Sequence, residues 1–301
     1  MSALPIVDAH QHFWDLDRNY LPWLGDEPPI PFRYGDYSAL KRNYLPADYR
    51  RDTAGFEIAA TVFVETEWDP NDSVGETRWV HELAAREGLP SAMVCQAWLD
   101  RDGIEEVLAA QSAFPLVRGI RHKPRAARSP AEMSDDLPGS MTDPKWRRGF
   151  AQLRRHGLSF DLQTPWWHFR QALDLAEAFP ETEIIVNHTG LPADRSDAGL
   201  TGWREAMALL ARAPNVAVKV SGLGVPGRPW TADSNCRVVL DAIELFGVDR
   251  AMFASNFPVD GLVASFRTIY DGFFEITEGF SADERRKLFH DNALKFYRIA
   301  L

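Results

Sequence analysis

Residues 6–12 read IVDAHQH, a short apolar run that ends in two histidines one residue apart. On a β-strand, residues two apart point to the same face, so this spacing predicts that Asp8, His10 and His12 share one side. Two imidazoles about 6–7 Å apart along a strand can turn toward one divalent cation. The alternative to a metal-binding pair is a buried strand followed by an ordinary polar turn. The rest of the sequence helps to decide between the two.

The composition indicates a large protein with an acidic surface. Its 301 residues are 45% hydrophobic and carry a formal net charge of −10. A chain of this length fits one α/β barrel or two smaller domains. The negative charge disfavours nucleic acid and anionic membranes as partners, but it does not exclude an anionic substrate that meets local positive charge. We therefore expect a small-molecule substrate.

The cysteines and the N-terminal sequence indicate the cellular compartment of the protein. Cys95 and Cys236 lie far apart without metal-binding or redox spacing, which favours free thiols in a reducing compartment. Residues 1–5 lack the basic and apolar regions of a signal peptide, and no apolar run approaches the roughly 20 residues of a membrane span. The sequence predicts a cytoplasmic protein. Its oligomeric state stays open, with a homodimer as one option.

Eight apolar, β-rich runs recur along the chain, and most of them precede an amphipathic stretch of helical length. Continuous apolar runs are typical of parallel strands that are covered on both faces. The predicted strands are residues 5–10, 59–65, 92–99, 116–122, 158–163, 183–188, 216–221 and 250–255. The predicted helices are residues 74–87, 101–112, 144–156, 166–179, 201–212, 233–246 and 262–276. Eight strand–helix units predict one α/β domain over residues 1–301, a (β/α)8 TIM barrel.

Three segments depart from a regular barrel. Residues 13–46 are too long for an ordinary βα loop and are rich in Pro, Trp and Tyr. Loops of that length are usually functional or contain small elements of their own. Residues 124–140 form a second long excursion after the fourth strand, and an extra C-terminal helix over 282–297 follows the eighth unit. We expect the two loops to shape a pocket and the last helix to pack outside the barrel.

Polar side chains stand at the ends of nearly all the predicted strands. A single one is usually a cap or a turn former, but chemistry in this fold gathers at the C-terminal ends of the strands. In strand order they are His10 and His12, Glu65 and Glu67, Gln96 and Trp98, Arg118 with Arg121 and His122, Asp161 and Gln163, Asn187 and His188, Lys219 and Ser221, and Ser255 and Asn256. Such convergence predicts a functional site.

Four of these strand ends resemble the amidohydrolase superfamily and, within it, the lactonase-rich branch of amidohydrolase family 2. The matching stretches are DAHQHFW at 8–14, VRGIRH at 117–122, VNHTG at 186–190 and MFASNFP at 252–258. The similarity extends over nearly the whole chain. This branch includes sugar-acid lactonases and the pyrone-dicarboxylate lactonase, so the resemblance implies a TIM-barrel hydrolase of lactones.

The chain departs from the superfamily pattern at several metal-binding positions. That pattern has His-x-His on strand one, a lysine or glutamate on strand four, histidines on strands five and six, and an aspartate on strand eight. His10, His12 and His188 match, whereas Arg121 stands on strand four and Gln163 on strand five. The resemblance is therefore compatible with one divalent ion, most simply zinc held by the three histidines, or with no metal.

The sharpest departure is Asn256, which stands where the family has the aspartate that takes a proton from the attacking water. A neutral amide cannot act as that base. Three explanations remain open at this point. The asparagine is native and the base is another group such as His188, Glu65 or Asp260; the substitution is engineered; or the protein binds its ligand without turnover.

The resemblance and the polar strand ends together predict hydrolysis of a lactone of a sugar acid or dicarboxylic acid. The expected catalytic residues are His10, His12, His188, Asn256 and Arg121, acting through a metal-bound water or by direct polarisation of the carbonyl. The expected substrate-binding residues are His122, Arg118, Lys219, Glu65, Gln163 and, as an aromatic wall, Trp14 and Trp68. A metal-dependent decarboxylase and a ligand-binding barrel are the alternatives.

Overall fold

The computed structural model describes residues 4–301 and contains one eight-stranded parallel sheet. The strands are β1 Ile6–Gln11, β2 Ile58–Val64, β3 Ala92–Gln96, β4 Val117–Arg121, β5 Ser159–Leu162, β6 Ile184–Val186, β7 Val216–Val220 and β8 Ala251–Phe253. Each strand pairs with the next in chain order, from β1 through β8. The predicted (β/α)8 barrel is confirmed, with strand boundaries that differ by a few residues.

The barrel closes just beyond the end of β8. The Asn256 backbone N–H donates to the His10 carbonyl at 2.7 Å, and the His12 N–H donates to the Phe257 carbonyl at 2.8 Å. Gln11 and Phe257 form a parallel bridge between these two bonds. The closing seam therefore fixes His10, His12 and Asn256 relative to one another.

Helices alternate with the strands, and a few lie within the long loops. They are α1 Pro22–Gly25, α2 Pro46–Asp52, α3 Gly75–Glu87, α4 Ile104–Ser112, α5 Pro144–Phe150, α6 Phe169–Ala178, α7 Asp197–Leu210, α8 Ala232–Phe246, α9 Phe266–Ile276, α10 Ala282–Arg286 and α11 Asn292–Phe296. The predicted last helix is α10 and α11 joined by a π-helical turn, Lys287–Asp291. Within residues 4–301, no helix has the length and apolar character needed to cross a bilayer.

The long first loop carries α1, a short 3₁₀ helix and α2, as its length predicted. It is held to the barrel by aromatic packing. Trp14 pairs with Tyr44 in an antiparallel bridge, and the ring of Trp14 meets that of Trp23 at 5.9 Å. Trp23 in turn stacks on Phe32 at 5.7 Å. This packing places the middle of the loop over the mouth of the barrel.

A register shift in β1 changes where its side chains point. Asp8 pairs with Thr61 and Gln11 with Phe63, so β1 advances three residues while β2 advances two. One extra residue reverses the alternation of faces. Asp8 instead accepts hydrogen bonds from the Ser255 hydroxyl at 2.6 Å and the Tyr49 hydroxyl at 2.9 Å. The prediction that Asp8 shares the face of the two histidines is wrong.

Candidate active site

Three buried imidazoles meet at the mouth of the barrel. The ring centroid of His10 lies 4.9 Å from that of His12 and 4.7 Å from that of His188. His10 and His12 come from the end of β1, and His188 follows β6, as the sequence predicted. Burial lowers the pKa of His12 to about 3, with the Arg121 charge as the next cause, and burial also lowers the pKa values of His10 and His188. All three rings are therefore neutral at neutral pH.

The backbone around this cluster is unusual. Five non-glycine residues that follow strand ends, Glu67, His188, Thr189, Leu191 and Asn256, have φ between 50 and 59°. Non-glycine residues seldom adopt this left-handed conformation, and it is over-represented at functional sites. The positive φ values therefore mark this mouth of the barrel as a candidate functional site.

A glycine makes room for His188. A Cβ added to Gly222, whose φ is +64°, would lie 2.7 Å from His188 Nδ1 and 2.9 Å from Arg33 Nη2. No side chain fits at that separation. The close approach also shows that the long first loop brings Arg33 to the histidine cluster, which the sequence did not predict.

Hydrogen bonding fixes the tautomer of His12 and the orientation of Asn256. His12 Nδ1 lies 2.7 Å from the Val64 carbonyl, which can only accept, so Nδ1 carries the proton and Nε2 is bare. Asn256 Nδ2 donates to Asp260 Oδ1 at 2.6 Å, which turns Asn256 Oδ1 to face His12 Nε2 at 3.3 Å. Two acceptor atoms thus face each other and can share a molecule that donates to both.

The opposite arrangement holds for His10. Lys219 Nζ lies 3.5 Å from His10 Nδ1, and an ammonium can only donate. The proton of His10 is therefore on Nε2, which is buried and has no hydrogen-bond partner in the described residues 4–301. Lys219 is fully buried and pairs with Asp161 at 2.6 Å. It lies behind His10 and cannot contact a substrate, which corrects its predicted binding role.

Arg121 is already paired within the protein. Its guanidinium donates to the Glu65 carboxylate and backbone carbonyl, and Nη1 donates to Gln163 Oε1 at 3.0 Å. Both members of the ion pair are almost fully buried. The second Glu65 oxygen accepts from the Glu67 N–H at 2.6 Å. Glu65 is therefore unsuitable as a general base, and these hydrogen bonds use three of the five N–H groups of Arg121.

A cavity of about 300 Å³ opens beside the histidines. Its lining comprises His12, Trp14, Trp23, Ile30, Pro31, Phe32, Arg33, Thr66, Glu67, Arg121, Lys123, Gln163, His188, Leu191, Asn256 and Val259. Six predicted site residues are among them. The contribution of residues 30–33 was missed, because a Pro-rich loop has no periodicity from which the direction of its side chains follows.

Two further predictions of substrate contact are corrected. Arg118 lies at the start of β4, where Met93 pairs with Val117 and Val94 with Gly119, so it is the extra residue of a register shift. Its guanidinium donates to the carbonyls of Pro115 and Val117, away from the cavity. Trp68 stacks on Trp79 of α3, with ring centroids 6.2 Å apart, and packs the loop rather than lining the cavity.

The residues do not fit a resident catalytic zinc ion. In the described part of the chain, residues 4–301, no group of three or more His, Cys, Asp and Glu side chains is placed to hold a metal ion. Coordination through His10 Nε2 would displace its proton while the Lys219 ammonium still faces Nδ1, and the resulting imidazolate disfavours His10 as a ligand. Catalytic zinc sites normally offer three protein ligands. The chemistry of this site is therefore attributed to its hydrogen-bonding groups.

Comparison with known proteins agrees with this fold. An amidohydrolase family model matches residues 7–299. The chain is 42% identical to the uncharacterized protein y4mH of Sinorhizobium fredii, over 99% of this chain and 100% of the relative. It is 30% identical to an L-fucono-1,5-lactonase of Burkholderia multivorans, over 99% and 97% of the two chains.

Solved structures give the same result. Crystal structures of an amidohydrolase from Burkholderia multivorans, one with bound HEPES and one with bound zinc, have TM-scores of 0.80 and 0.77. The sequences are 26% identical, and the match covers 98% of this chain and 99% of the other. The chain belongs to the amidohydrolase family, in its lactonase-rich branch. It is a hydrolase.

Proposed function

We propose that the protein hydrolyses a small lactone of a sugar acid or dicarboxylic acid, without a metal ion. The observation that carries the proposal is that the ring of His10, whose Nε2 has no partner among residues 4–301, lies 4.9 Å from the ring of His12, whose Nε2 faces Asn256 Oδ1. The reaction class is supported by the lactonase relatives. A decarboxylase of the same superfamily would need a tightly held ion, and these residues do not provide its ligand set.

The acceptor pair would orient the attacking water. One O–H of the water donates to His12 Nε2 and the other to Asn256 Oδ1, which directs the oxygen lone pair at the lactone carbonyl carbon. His12 Nε2 takes the proton as the new C–O bond forms. Asn256 positions the water and does not act as a base. Asp260 does not line the cavity; its two oxygens accept from Asn256, Tyr34 and the Gly222 N–H.

The donor would stabilise the charge that develops on the carbonyl oxygen. The Nε2–H of His10 is a buried donor that has no partner within residues 4–301, and a donor of this kind stabilises an oxyanion strongly. The nearby guanidinium of Arg121 adds positive charge. The ring C–O bond then breaks, and the leaving alkoxide takes the proton from His12. Water has added across the ester bond, and the product is an open hydroxy acid.

The direct test is a panel of lactones, beginning with L-fucono-1,5-lactone and including rings with a carboxylate substituent. We expect turnover of at least one lactone and none of simple amides, because amide nitrogen is a much poorer leaving group. Absence of turnover across the whole panel would remove the proposal. The cytoplasmic location and the homodimer remain predictions.

We expect hydrolysis to survive chelation, because no step needs a metal. Dialysis against EDTA should change kcat by less than about twofold, with metal content followed by plasma emission spectroscopy. An amidohydrolase of Burkholderia multivorans has been solved with bound zinc, so the dialysed protein is also assayed after zinc is added back. Loss of activity on chelation and its recovery with zinc would contradict the metal-free proposal.

The pH dependence should differ from that of an ordinary histidine base. Since burial holds the pKa of His12 at about 3, the ring stays unprotonated well below neutrality. We therefore expect kcat/KM to stay within about twofold from about pH 8 down to about pH 5. A base with the usual histidine pKa near 6.5 would lose more than tenfold over that range. A falling limb near pH 6.5 would contradict the role of His12.

A further inference from the structure

A second, smaller cavity of about 90 Å³ adjoins the main one on the side of β2, β3 and β4. Its lining comprises Glu65, Glu67, Gln96, Ala97, Trp98, Arg121, His122 and Lys123. Glu67, Arg121 and Lys123 line both cavities. The ion pair between Glu67 and Lys123, at 2.9 Å, therefore lies at the boundary between them. We call the smaller space the side cavity.

Buried polar groups in the side cavity lack partners. Gln96 is 3% exposed, and neither its amide nitrogen nor its amide oxygen has a hydrogen-bond partner in the described residues. The indole N–H of Trp98 is likewise buried and unpaired there. By contrast, Gln111 nearby is satisfied at both amide atoms, by the carbonyls of Ser73 and Gln96 and the hydroxyl of Thr77. A buried amide without partners is costly, which points to a ligand for Gln96.

His122 adds a further donor. Its Nδ1 accepts from the Leu99 N–H at 3.0 Å and from Trp146 Nε1 at 3.1 Å, so the ring proton is on Nε2. Burial lowers the pKa of His122 to about 4, which keeps the ring neutral. With Gln96 and Trp98, the side cavity thus presents uncharged N–H donors and one amide acceptor.

The charges around the side cavity cancel. Glu65 is paired with Arg121, and Glu67 is paired with Lys123. A carboxylate entering here would meet no free cation and two carboxylates. A hydroxyl group both donates and accepts without charge, so it matches the unpaired amide and indole groups. The volume equals that of about three liquid water molecules, which suits a hydroxymethyl-sized group.

We propose that the side cavity is a specificity subsite that binds a neutral hydroxylated arm of the lactone substrate, through Gln96, Trp98 and His122. The inference rests on the proposed lactone hydrolysis and narrows its substrate class from sugar acid or dicarboxylic acid to the former. The lactone ring occupies the main cavity beside His12 and His188, and its arm passes the Glu67–Lys123 pair. Gln96 has the largest unmet hydrogen-bonding capacity, so it dominates the selectivity.

The test compares three lactones that differ in one substituent: δ-valerolactone, δ-hydroxymethyl-δ-valerolactone and δ-carboxy-δ-valerolactone. We expect the wild type to favour the hydroxymethyl ring over the unsubstituted ring by about tenfold or more in kcat/KM. In Gln96→Leu this ratio should fall close to one, mainly through KM. Gln152→Leu, on the outside of the barrel, is the matched control and should keep the wild-type ratio.

Several outcomes would overturn the proposal. A wild-type ratio near one would mean that the side cavity holds only water, and a preference for the carboxylated ring would assign it to an anion. An equal loss on both rings in Gln96→Leu would make Gln96 a purely structural residue. Binding of tetrahydropyran-2-methanol and tetrahydropyran, measured by calorimetry, needs no turnover. It therefore tests the subsite even if no lactone is hydrolysed. Tighter binding of the alcohol than of tetrahydropyran, abolished in Gln96→Leu, supports the subsite. Equal binding of the two compounds by the wild type overturns it.

Discussion

His12→Gln should lower kcat by about a thousandfold on the best lactone of the panel, with little change in KM. General-base removal typically costs between about 10² and 10⁴ in rate. The glutamine amide can still donate toward the Val64 carbonyl, which now accepts from His12 Nδ1 at 2.7 Å, but it offers no basic nitrogen to the water. Steady-state kinetics under saturating lactone isolates kcat.

The control is His156→Gln, a half-buried histidine in the 3₁₀ helix Leu153–His156, whose Nδ1 lies 3.3 Å from the Ser112 hydroxyl. It should keep wild-type kinetics. Thermal unfolding of both variants separates a loss of chemistry from a loss of fold. Full activity in a folded His12→Gln protein would move the base to another group, with His188 as the first candidate because it lines the same cavity.

The barrel could be predicted from the sequence because its signal is repeated. Eight continuous apolar runs, most of them followed by an amphipathic stretch of helical length, are typical of this barrel, and each run coincides with a strand. The meeting of His10 with His188 follows from the same logic, since parallel strands deliver their C-terminal ends to one mouth. These predictions depend on the pattern and not on any single side chain.

The wrong predictions of side-chain position depend on three-dimensional features that the pattern of residues along the sequence does not encode. One-residue register shifts in β1 and at the start of β4 turned Asp8 and Arg118 away from the expected face. Lys219 was expected to bind substrate, but it is fully buried and paired with Asp161, because its depth depends on the height of each residue in the barrel. Arg33 reaches the site through the tertiary packing of a loop. Register, depth and loop packing are three-dimensional properties, so sequence alone could not supply them.

Asn256 can now be interpreted from its surroundings. Its amide nitrogen donates to Asp260 Oδ1 at 2.6 Å, in a buried pocket where burial raises the pKa of Asp260. An aspartate at position 256 would place two carboxylates at that distance, and they could not both ionise. A neutral asparagine avoids this repulsion. The Asp260 carboxylate accepts from the Asn256 amide nitrogen, so the Asn256 amide oxygen faces His12 Nε2.

Asn256→Ala should lower kcat by about a hundredfold, because the water loses one of its two acceptors while His12 remains.

Asn256→Asp should also be less active than the wild type near neutral pH. Its rate should rise with pH, because the proton that it shares with Asp260 leaves, whereas the wild-type rate stays flat. Full pH–rate profiles of both variants measure this, with Asn71→Asp on an exposed loop as the control. A tenfold or greater gain for Asn256→Asp near neutral pH would show instead that the site lacks a base that the aspartate restores.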